Sequence, residues 1–267
     1  MYILILFWKK EKKIIRKSFK KIYKFFSRIS GIVTFGHLES GTKICYIFLR
    51  PGKSIWKGCR GMNEKFFDLK KEKQDRMINA SLKVFAMNGY AHASTDDIVR
   101  EAGISKGLLF HYFASKLGLY SFIYDYSIRY VILELTTGVD KEETDYFRLV
   151  EQIKEAELQV MRNYPCMILF LNNSRLENVS EVLVETEDKR NILSEKYAQI
   201  LSQATGEELD ERLSREQLSE MIRFTTEGLM RRHFYEGSFQ PELYHQELKQ
   251  YLGTIRLLGT KKPEVLS

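Results

Sequence analysis

Residues 93–116 have the sequence ASTDDIVREAGISKGLLFHYFASK, and this stretch decides the fold. Ser94, followed three residues later by Asp97, forms the pattern of a capping box and predicts the start of a short helix. Gly103 then predicts a tight turn, and Ser105 predicts the N-cap of the next short helix. The spacing therefore indicates two short helices joined by a three-residue turn.

The apolar residues of this helix pair are spaced to pack against the helix before it. That helix is predicted over residues 71–88 and ends at Gly89, with Ile78, Leu82 and Phe85 on one face. The residues that pack against this face are Ile98, Ala102, Ile104, Leu109 and Phe113. The other face of the third helix then presents Lys106, Gly107, Leu108, Phe110, His111 and Tyr112. A narrow face without acids, rich in aromatic and hydrogen-bonding groups, suits the major groove of DNA.

Together with Phe85, Gly89 and Tyr90, the quoted stretch resembles the DNA-binding domain of the TetR family of transcriptional regulators. The recurring pattern of that family is T-x-x-I-x-x-x-A-G-x-S-K-G-x-x-Y-x-Y-F-x-S-K, and the resemblance extends over about residues 71–130. It implies a helix-turn-helix protein that binds a double-stranded DNA operator. It also implies a homodimer whose helical body senses a small-molecule effector, which the sequence does not identify, and so a ligand-responsive repressor.

Carried over position by position, the resemblance implies ten DNA-contacting residues: Ser94, Thr95, Ser105, Lys106, Gly107, Leu108, Phe110, His111, Tyr112 and Lys116. Lys106 and Lys116 resemble phosphate contacts. Leu108 and Phe110 stand where the family often has hydroxyl-bearing residues, so Leu108 would touch a thymine methyl group instead. The alternative interpretation of Phe110 and Tyr112 is that they are core aromatics.

Beyond residue 115 the periodicity predicts six longer helices. They lie near 116–136, 143–163, 165–178, 181–204, 214–236 and 240–258. Pro165 and Pro241 fall at first-turn positions, where a missing N–H costs little. Short loops and a helical period throughout the body predict an all-α protein of about nine helices. We divide the chain into a basic extension (1–61), a DNA-binding domain (70–130) and a ligand-sensing and dimerisation domain (131–267).

The last two helices have apolar faces that nothing later in the sequence covers. The resemblance implies that these faces form the dimer interface, with Leu218, Ile222, Leu229, Tyr251, Leu252 and Ile255 as its residues. The alternative is burial within one chain.

Large, adaptable side chains in the middle helices suggest where a ligand would bind. The expected pocket residues are Tyr124, Met161, Tyr164, Met167, Phe170, Asn173 and Arg175. Methionine and aromatic stripes are more often plain core, and that alternative stays open.

The net charge of +7 does not by itself indicate DNA binding, because it is unevenly distributed. Residues 1–61 hold 15 Lys and Arg against 2 Asp and Glu, a net charge of +13, whereas residues 62–267 hold 27 against 33, a net charge of −6. A DNA contact must therefore depend on a local patch.

The first 61 residues admit two hypotheses. If this segment is a helix, it has an apolar face and an opposite face rich in lysine, as in a helix that lies on a membrane surface. The apolar face consists of Ile15, Phe19, Ile22, Phe26 and Ile29. Alternatively, residue types with AT-rich codons fill 20 of the first 29 positions, as a translated upstream leader would, and Met62 is the true start. We favour Met62, and so do not expect residues 1–30 to contact a membrane.

No sequence pattern indicates an enzyme. The chain lacks paired-carboxylate, P-loop, dinucleotide-binding and nucleophile motifs, and its three cysteines have no zinc spacing. We therefore expect no catalytic residue, metal or cofactor, and a cytoplasmic protein. The alternative to the ligand-responsive repressor is a DNA-bound interaction protein of the same fold, controlled by a protein partner.

Overall fold

The computed structural model describes the backbone of residues 2–8, 32–37 and 43–49, and the full residues 65–237 and 239–261 together with the backbone of Glu64. The chain divides into two compact units, Met1–Cys59 and Arg60–Ser267.

The first unit contains a three-stranded antiparallel sheet. Strands β1 (Tyr2–Trp8), β2 (Ile32–His37) and β3 (Lys43–Leu49) lie in the order β1-β3-β2. Tyr2 pairs with Leu49, and Ile32 pairs with Phe48. The sequence analysis predicted no strands here, and its apolar helical stripe over residues 15–29 lies outside the described residues.

The described part of the second unit is helical, which confirms the all-α prediction for the body. A short 3-10 helix, Glu64–Asp68, comes first. The α-helices are α1 (Lys71–His92), α2 (Thr95–Ala102), α3 (Lys106–Phe113), α4 (Lys116–Gly138), α5 (Tyr146–Asn163), α6 (Met167–Ser174), α7 (Ser180–Thr186), α8 (Ile192–Leu201), α9 (Arg215–Tyr235) and α10 (Pro241–Gly259).

One predicted helix is divided. The periodicity predicted a single helix over 181–204, whereas α7 ends at Thr186, a 3-10 turn covers Glu187–Lys189, and α8 begins at Ile192. Residues 187–191 are all polar or charged. With no apolar side chain to hold that turn against the core, the chain bends there and α8 takes a new direction.

The helix-turn-helix packs around a cluster of aromatic rings. Of the predicted core, Ile98, Leu109 and Phe113 are buried, as expected. Phe66 in the 3-10 helix completes this cluster and is fully buried, with its ring centroid 5.2 Å from that of Phe113 and 5.3 Å from that of Phe122. The sequence analysis had not placed Phe66 in the core.

Gly89 ends the regular part of α1, as predicted. Its φ of 66° and ψ of 175° lie in a region that is open almost only to glycine. The break turns Tyr90 inward, where its ring centroid lies 5.3 Å from that of Tyr120. The backbone N–H of Tyr90, released from the helix, donates to a carboxylate oxygen of Glu177 at 2.9 Å.

Substitution of this glycine tests the geometry. We expect Gly89→Ala to destabilise the protein by about 1–3 kcal/mol, because alanine must adopt a strained backbone conformation. The matched control is Ala114→Gly, since Ala114 has a φ of 57° and glycine relieves strain there. Thermal unfolding should show a lower Tm for the first variant and an unchanged or higher Tm for the second; equal Tm values for Gly89→Ala and the parent chain would contradict the assigned turn.

Candidate nucleic-acid interface

Serine side chains fix the start of both short helices. The Ser94 hydroxyl accepts a hydrogen bond from the backbone N–H of Asp96 at 3.1 Å, and the Ser105 hydroxyl accepts one from Leu108 at 3.2 Å. Both N-caps are as predicted. The expected capping box on the first helix is wrong, because the Asp97 carboxylate pairs with Arg100, one turn further along.

Helix α3 presents most of the predicted face to solvent. Lys106, Gly107 and His111 are exposed, while Leu108 and Phe110 are half-buried. A face with exposed cationic and imidazole groups at its edge and apolar groups at its centre can reach both phosphates and base edges. An exposed third helix is the surface through which helix-turn-helix domains enter the major groove of DNA.

Tyr112 does not lie on that outward face, and its placement there is wrong. Only 9% of the residue is exposed, and its ring centroid lies 5.7 Å from that of Phe66. The aromatic pair Phe66–Phe67, immediately before α1, is the sequence signal that could have shown this, because these rings extend the core beneath α3.

Lysines near the interface are engaged by groups of the protein itself. The Lys106 ammonium lies 2.9 Å from a carboxylate oxygen of Asp96. The Lys116 ammonium lies 4.5 Å from the ring centroid of Tyr90 and donates to the carbonyl of Ala91 at 3.3 Å. Burial lowers the pKa of Lys116 below its ordinary value, and the carboxylates of Glu181 and Glu177 oppose this shift.

The body contains a cavity of about 350 Å³, enclosed by α4, α5, α6, α8 and α9 and partly open to solvent. Of the seven predicted pocket residues, Tyr124 and Arg175 line it. The other five, Met161, Tyr164, Met167, Phe170 and Asn173, lie elsewhere. The prediction for those five is wrong.

Three of these residues, Tyr164, Phe170 and Asn173, contact α1 or α4 instead of the cavity. The Phe170 ring packs 5.4 Å from Tyr120, and the Asn173 amide donates to the carbonyl of Ala86 at 2.8 Å. The Tyr164 hydroxyl donates to Asp75 at 2.8 Å and lies 2.7 Å from the hydroxyl of Tyr126. Helix α6 thus turns this face toward the DNA-binding domain.

The cavity holds polar residues that the sequence analysis missed. The Glu157 carboxylate is almost fully buried, and accepts from the Lys154 ammonium at 2.9 Å and from the Tyr197 hydroxyl at 2.9 Å. A Lys–Glu pair three residues apart on the otherwise apolar face of α5 was a signal for this site. Tyr197 and Arg190 were missed because the separate direction of α8 was not predicted.

The terminal helices bury most of the residues predicted for the dimer interface. Leu218, Ile222, Leu229, Leu252 and Ile255 are all buried within this chain, so that prediction is wrong for them. Of the predicted six, Tyr251 is exposed. The outward faces of α9 and α10 carry other large apolar side chains, namely Phe224, Leu243, Leu257 and Leu258.

Among the helices that the structure describes, none combines the length and the apolar character that a membrane crossing requires.

Comparison with known proteins agrees with this geometry. Residues 77–121 match the family model described as bacterial regulatory proteins, tetR family. Over 93 residues the chain is 34% identical to the HTH-type transcriptional regulator YuxN of Bacillus subtilis, which covers 33% of this chain and 32% of that protein. Over 47 residues it is 40% identical to the HTH-type transcriptional regulator TtgW of Pseudomonas putida, which covers 18% of this chain and 35% of that protein. The chain thus spans about a third of the length of the curated relatives it matches.

Solved structures show the same fold. The ketosteroid transcriptional regulator KstR2 of Mycobacterium tuberculosis superposes with a TM-score of 0.55 at 19% identity, covering 73% of this chain and 97% of that one. A TetR family transcriptional regulator from Chloroflexus aurantiacus superposes with a TM-score of 0.52 at 18% identity, covering 75% of this chain and 99% of that one. Residues 77–121 thus match the DNA-binding domain of the TetR family, and the described helices share the fold of solved TetR family regulators.

The Lys106–Asp96 pair yields a test of the interface. We expect Lys106→Ala to weaken binding to all duplexes alike, and to reduce the slope of log affinity against log salt by about 1, because one phosphate contact is lost. Asp96→Asn should raise affinity by up to about fivefold at low salt, because it frees Lys106 from an exposed pair. Lys196→Ala, on α8, is the control and should change neither quantity. Fluorescence anisotropy measures both the affinity and its salt dependence. If Lys106→Ala leaves the slope unchanged, Lys106 does not contact a phosphate.

Proposed function

We propose that the protein is a homodimeric repressor that releases its operator when a small molecule binds the cavity of the body. One observation supports this proposal most directly: residues 172–177 contribute side chains both to the cavity and to the contact with the end of α1. Asn172 and Arg175 line the cavity. Asn173 and Glu177 hold the end of α1 through hydrogen bonds to Ala86 and Tyr90.

On the DNA side, the exposed start of α3 supports contact with the operator. Gly107 lies inside a helix, where glycine costs about 1 kcal/mol relative to alanine, and a Cβ there would meet nothing within 4 Å of the protein. Close approach of a phosphate explains a glycine at this position. We assign phosphate contacts to Ser94, Thr95, Ser105, Lys106, Gly107, His111 and Lys116, and base contacts to Leu108 and Phe110.

The outward faces of α9 and α10 support a second copy of this chain as the partner. Phe224 is 60% exposed, and Leu258 is 53% exposed. Gly228 and Gly253 lie in the middle of these helices, are exposed, and have nothing within 4 Å of a Cβ position. Glycine at these sites has no function within one chain but lets two helices approach closely. A twofold axis would pair these self-complementary faces and place two α3 helices on successive half-sites.

Ligand control follows from the shared segment as a population shift. A ligand that draws Arg175 toward the cavity also displaces Asn173 and Glu177, because they lie within one turn of it. Their hydrogen bonds orient the end of α1, and the orientation of α1 sets the spacing of the two recognition helices. A ligand that prefers the altered spacing lowers the affinity for the operator.

A regulator of this fold controlled by a protein partner is the second hypothesis. The cavity favours the small molecule, because its volume and its mixture of apolar walls with a few polar groups match those of ligand sites. A body that only docked a protein would need no such internal space.

Dimerisation and operator binding can be tested together on DNA flanking the protein's own gene. We expect Leu258→Asp to yield a monomer in sedimentation velocity, because a charge is placed in the apolar interface. Footprinting should then show affinity lower by roughly 100-fold or more, since two half-sites are no longer bound together. Val184→Asp, at an exposed apolar site on α7, is the control. A parent chain that is monomeric, or that protects no DNA, would contradict the proposal.

The coupling segment makes a separate prediction. Glu177→Ala leaves the Tyr90 N–H without its acceptor, at a cost of about 1–3 kcal/mol, so the Tyr90 amide should exchange hydrogen roughly 5- to 150-fold faster. Operator affinity should fall as well, because the loosened domain must be ordered on binding. Glu195→Ala, at an exposed site on α8, should change neither. An unchanged hydrogen-exchange rate of the Tyr90 amide would show that residues 172–177 do not stabilise the DNA-binding domain.

A further inference from the structure

The charges lining the cavity do not balance. The Lys154 ammonium is paired with Glu157 at 2.9 Å, and the Arg223 guanidinium is paired with Glu220 at 2.6 Å. Arg175 and Arg190 also line the cavity, and neither has a carboxylate within 4.0 Å among residues 65–237 and 239–261. Two positive charges of the cavity are therefore left for a ligand.

Both unpaired arginines share the cavity wall with Tyr124. Arg190 is half-buried, and Arg175 is exposed at the rim. Burial raises the pKa of Tyr124, and the positive charges of Arg190 and Arg175 oppose this shift. Among the described residues the Tyr124 hydroxyl has no hydrogen-bond partner, and Tyr124 lies on the cavity wall. These three side chains together supply hydrogen-bond donors to the cavity.

Apart from polar groups such as the paired Lys154 and Glu157, much of the remaining wall is aliphatic. Its buried aliphatic side chains include Ile128, Val150, Ile153, Ile168, Leu171 and Ile222. These side chains have no polar group to bind a headgroup. They can instead remove an alkyl chain from water, which tightens binding by about fourfold per methylene.

We propose that the ligand of this cavity is an amphipathic carboxylate, with its headgroup held by Arg175 and Arg190 and its alkyl tail against the aliphatic wall. The planar guanidinium matches a carboxylate in two parallel hydrogen bonds, and the Tyr124 hydroxyl can donate a further one. The acid Glu157 does not repel this headgroup, since Lys154 neutralises it. This assignment rests on the proposed function, which it deepens by giving the effector a chemical class.

The position of the headgroup also explains how binding would reach the DNA. Arg175 follows Asn173 and precedes Glu177, the two residues that hold the end of α1. Capture of a carboxylate by Arg175 therefore pulls on the coupling segment, which a purely apolar ligand deeper in the cavity would not do.

Calorimetry on the full chain tests the ligand class with octanoate, decanoate and dodecanoate below their micellar concentrations. We expect decanoate to bind, with affinity that rises about fourfold per methylene until the cavity is full. Decylamine should not bind measurably, because its charge matches that of the arginines, and decanol should bind at least tenfold more weakly than decanoate. Equal binding of decylamine and decanoate would overturn the assignment.

Matched variants locate the headgroup. Arg190→Gln and Arg175→Gln should each weaken decanoate binding by roughly 10- to 150-fold, because a charge-assisted hydrogen bond is lost. Arg162→Gln, on the exposed face of α5 and paired with Glu242, should leave it unchanged. If both cavity variants bind decanoate as tightly as the parent chain, its uptake is non-specific and the proposal fails.

A footprint with added decanoate separates this inference from the proposed function. Binding of decanoate together with release of the operator supports both. Binding that requires Arg190 but leaves the footprint intact supports the ligand class and contradicts ligand control. No binding of any carboxylate by a chain that still protects its operator overturns the ligand class alone.

Discussion

The hydrogen bond between the Tyr90 backbone N–H and the Glu177 carboxylate is the constraint on which the rest of the structure depends. Gly89 breaks the helical ladder, so the amide of Tyr90 needs an acceptor from outside its own helix. The acceptor comes from the loop after α6, 87 residues along the chain. The DNA-binding domain is therefore joined to the body not only by the continuous α4 helix but also through a polar contact with two distinct partners. Such a contact has a defined geometry, and a small displacement of either partner changes it.

In the DNA-binding domain, positive charges near the candidate interface are balanced by neighbouring acids. Its cations Lys83, Arg100 and Lys106 are each paired with a neighbouring acid. These pairs are exposed and contribute little to stability. On the proposed operator contact, a phosphate would displace the acid from Lys106, and the salt dependence of binding would report how many such ion pairs are exchanged. The net charge of the chain, which is concentrated in the first 61 residues, gives no information on this number.

In the body, the large side chains that form the core and the residues that line the cavity are different sets. Aromatic and methionine side chains on α4, α5 and α6 pack against α1 and form a continuous core, which includes Phe85, Tyr120 and Phe170. The cavity is lined by other residues of α6, together with aliphatic side chains, arginines and tyrosines of the surrounding helices. Large, flat rings fill the volume between helices efficiently, and α8, which begins after the polar turn, lines the cavity with Leu193, Tyr197 and Leu201.

Local features of the sequence determined the helix-turn-helix. The N-cap serines, Gly89, Gly103 and the apolar spacing within residues 93–116 act over a few residues, so their consequences could be predicted without knowledge of distant contacts. The same local signals gave the bounds of most body helices to within a few residues.

Only the tertiary structure decided which partner covers each apolar face. Periodicity shows that α9 and α10 have apolar faces, but Leu218 and Leu252 are covered by the chain's own helices, whereas Phe224 and Leu258 are not. Tyr112 is buried because Phe66, 46 residues before it, packs against it, and Arg190 lines the cavity from the turn between α7 and α8. The physical reason is the same in each case: an amphipathic pattern records that a side chain avoids water, and contacts between residues far apart in the chain determine what shields it.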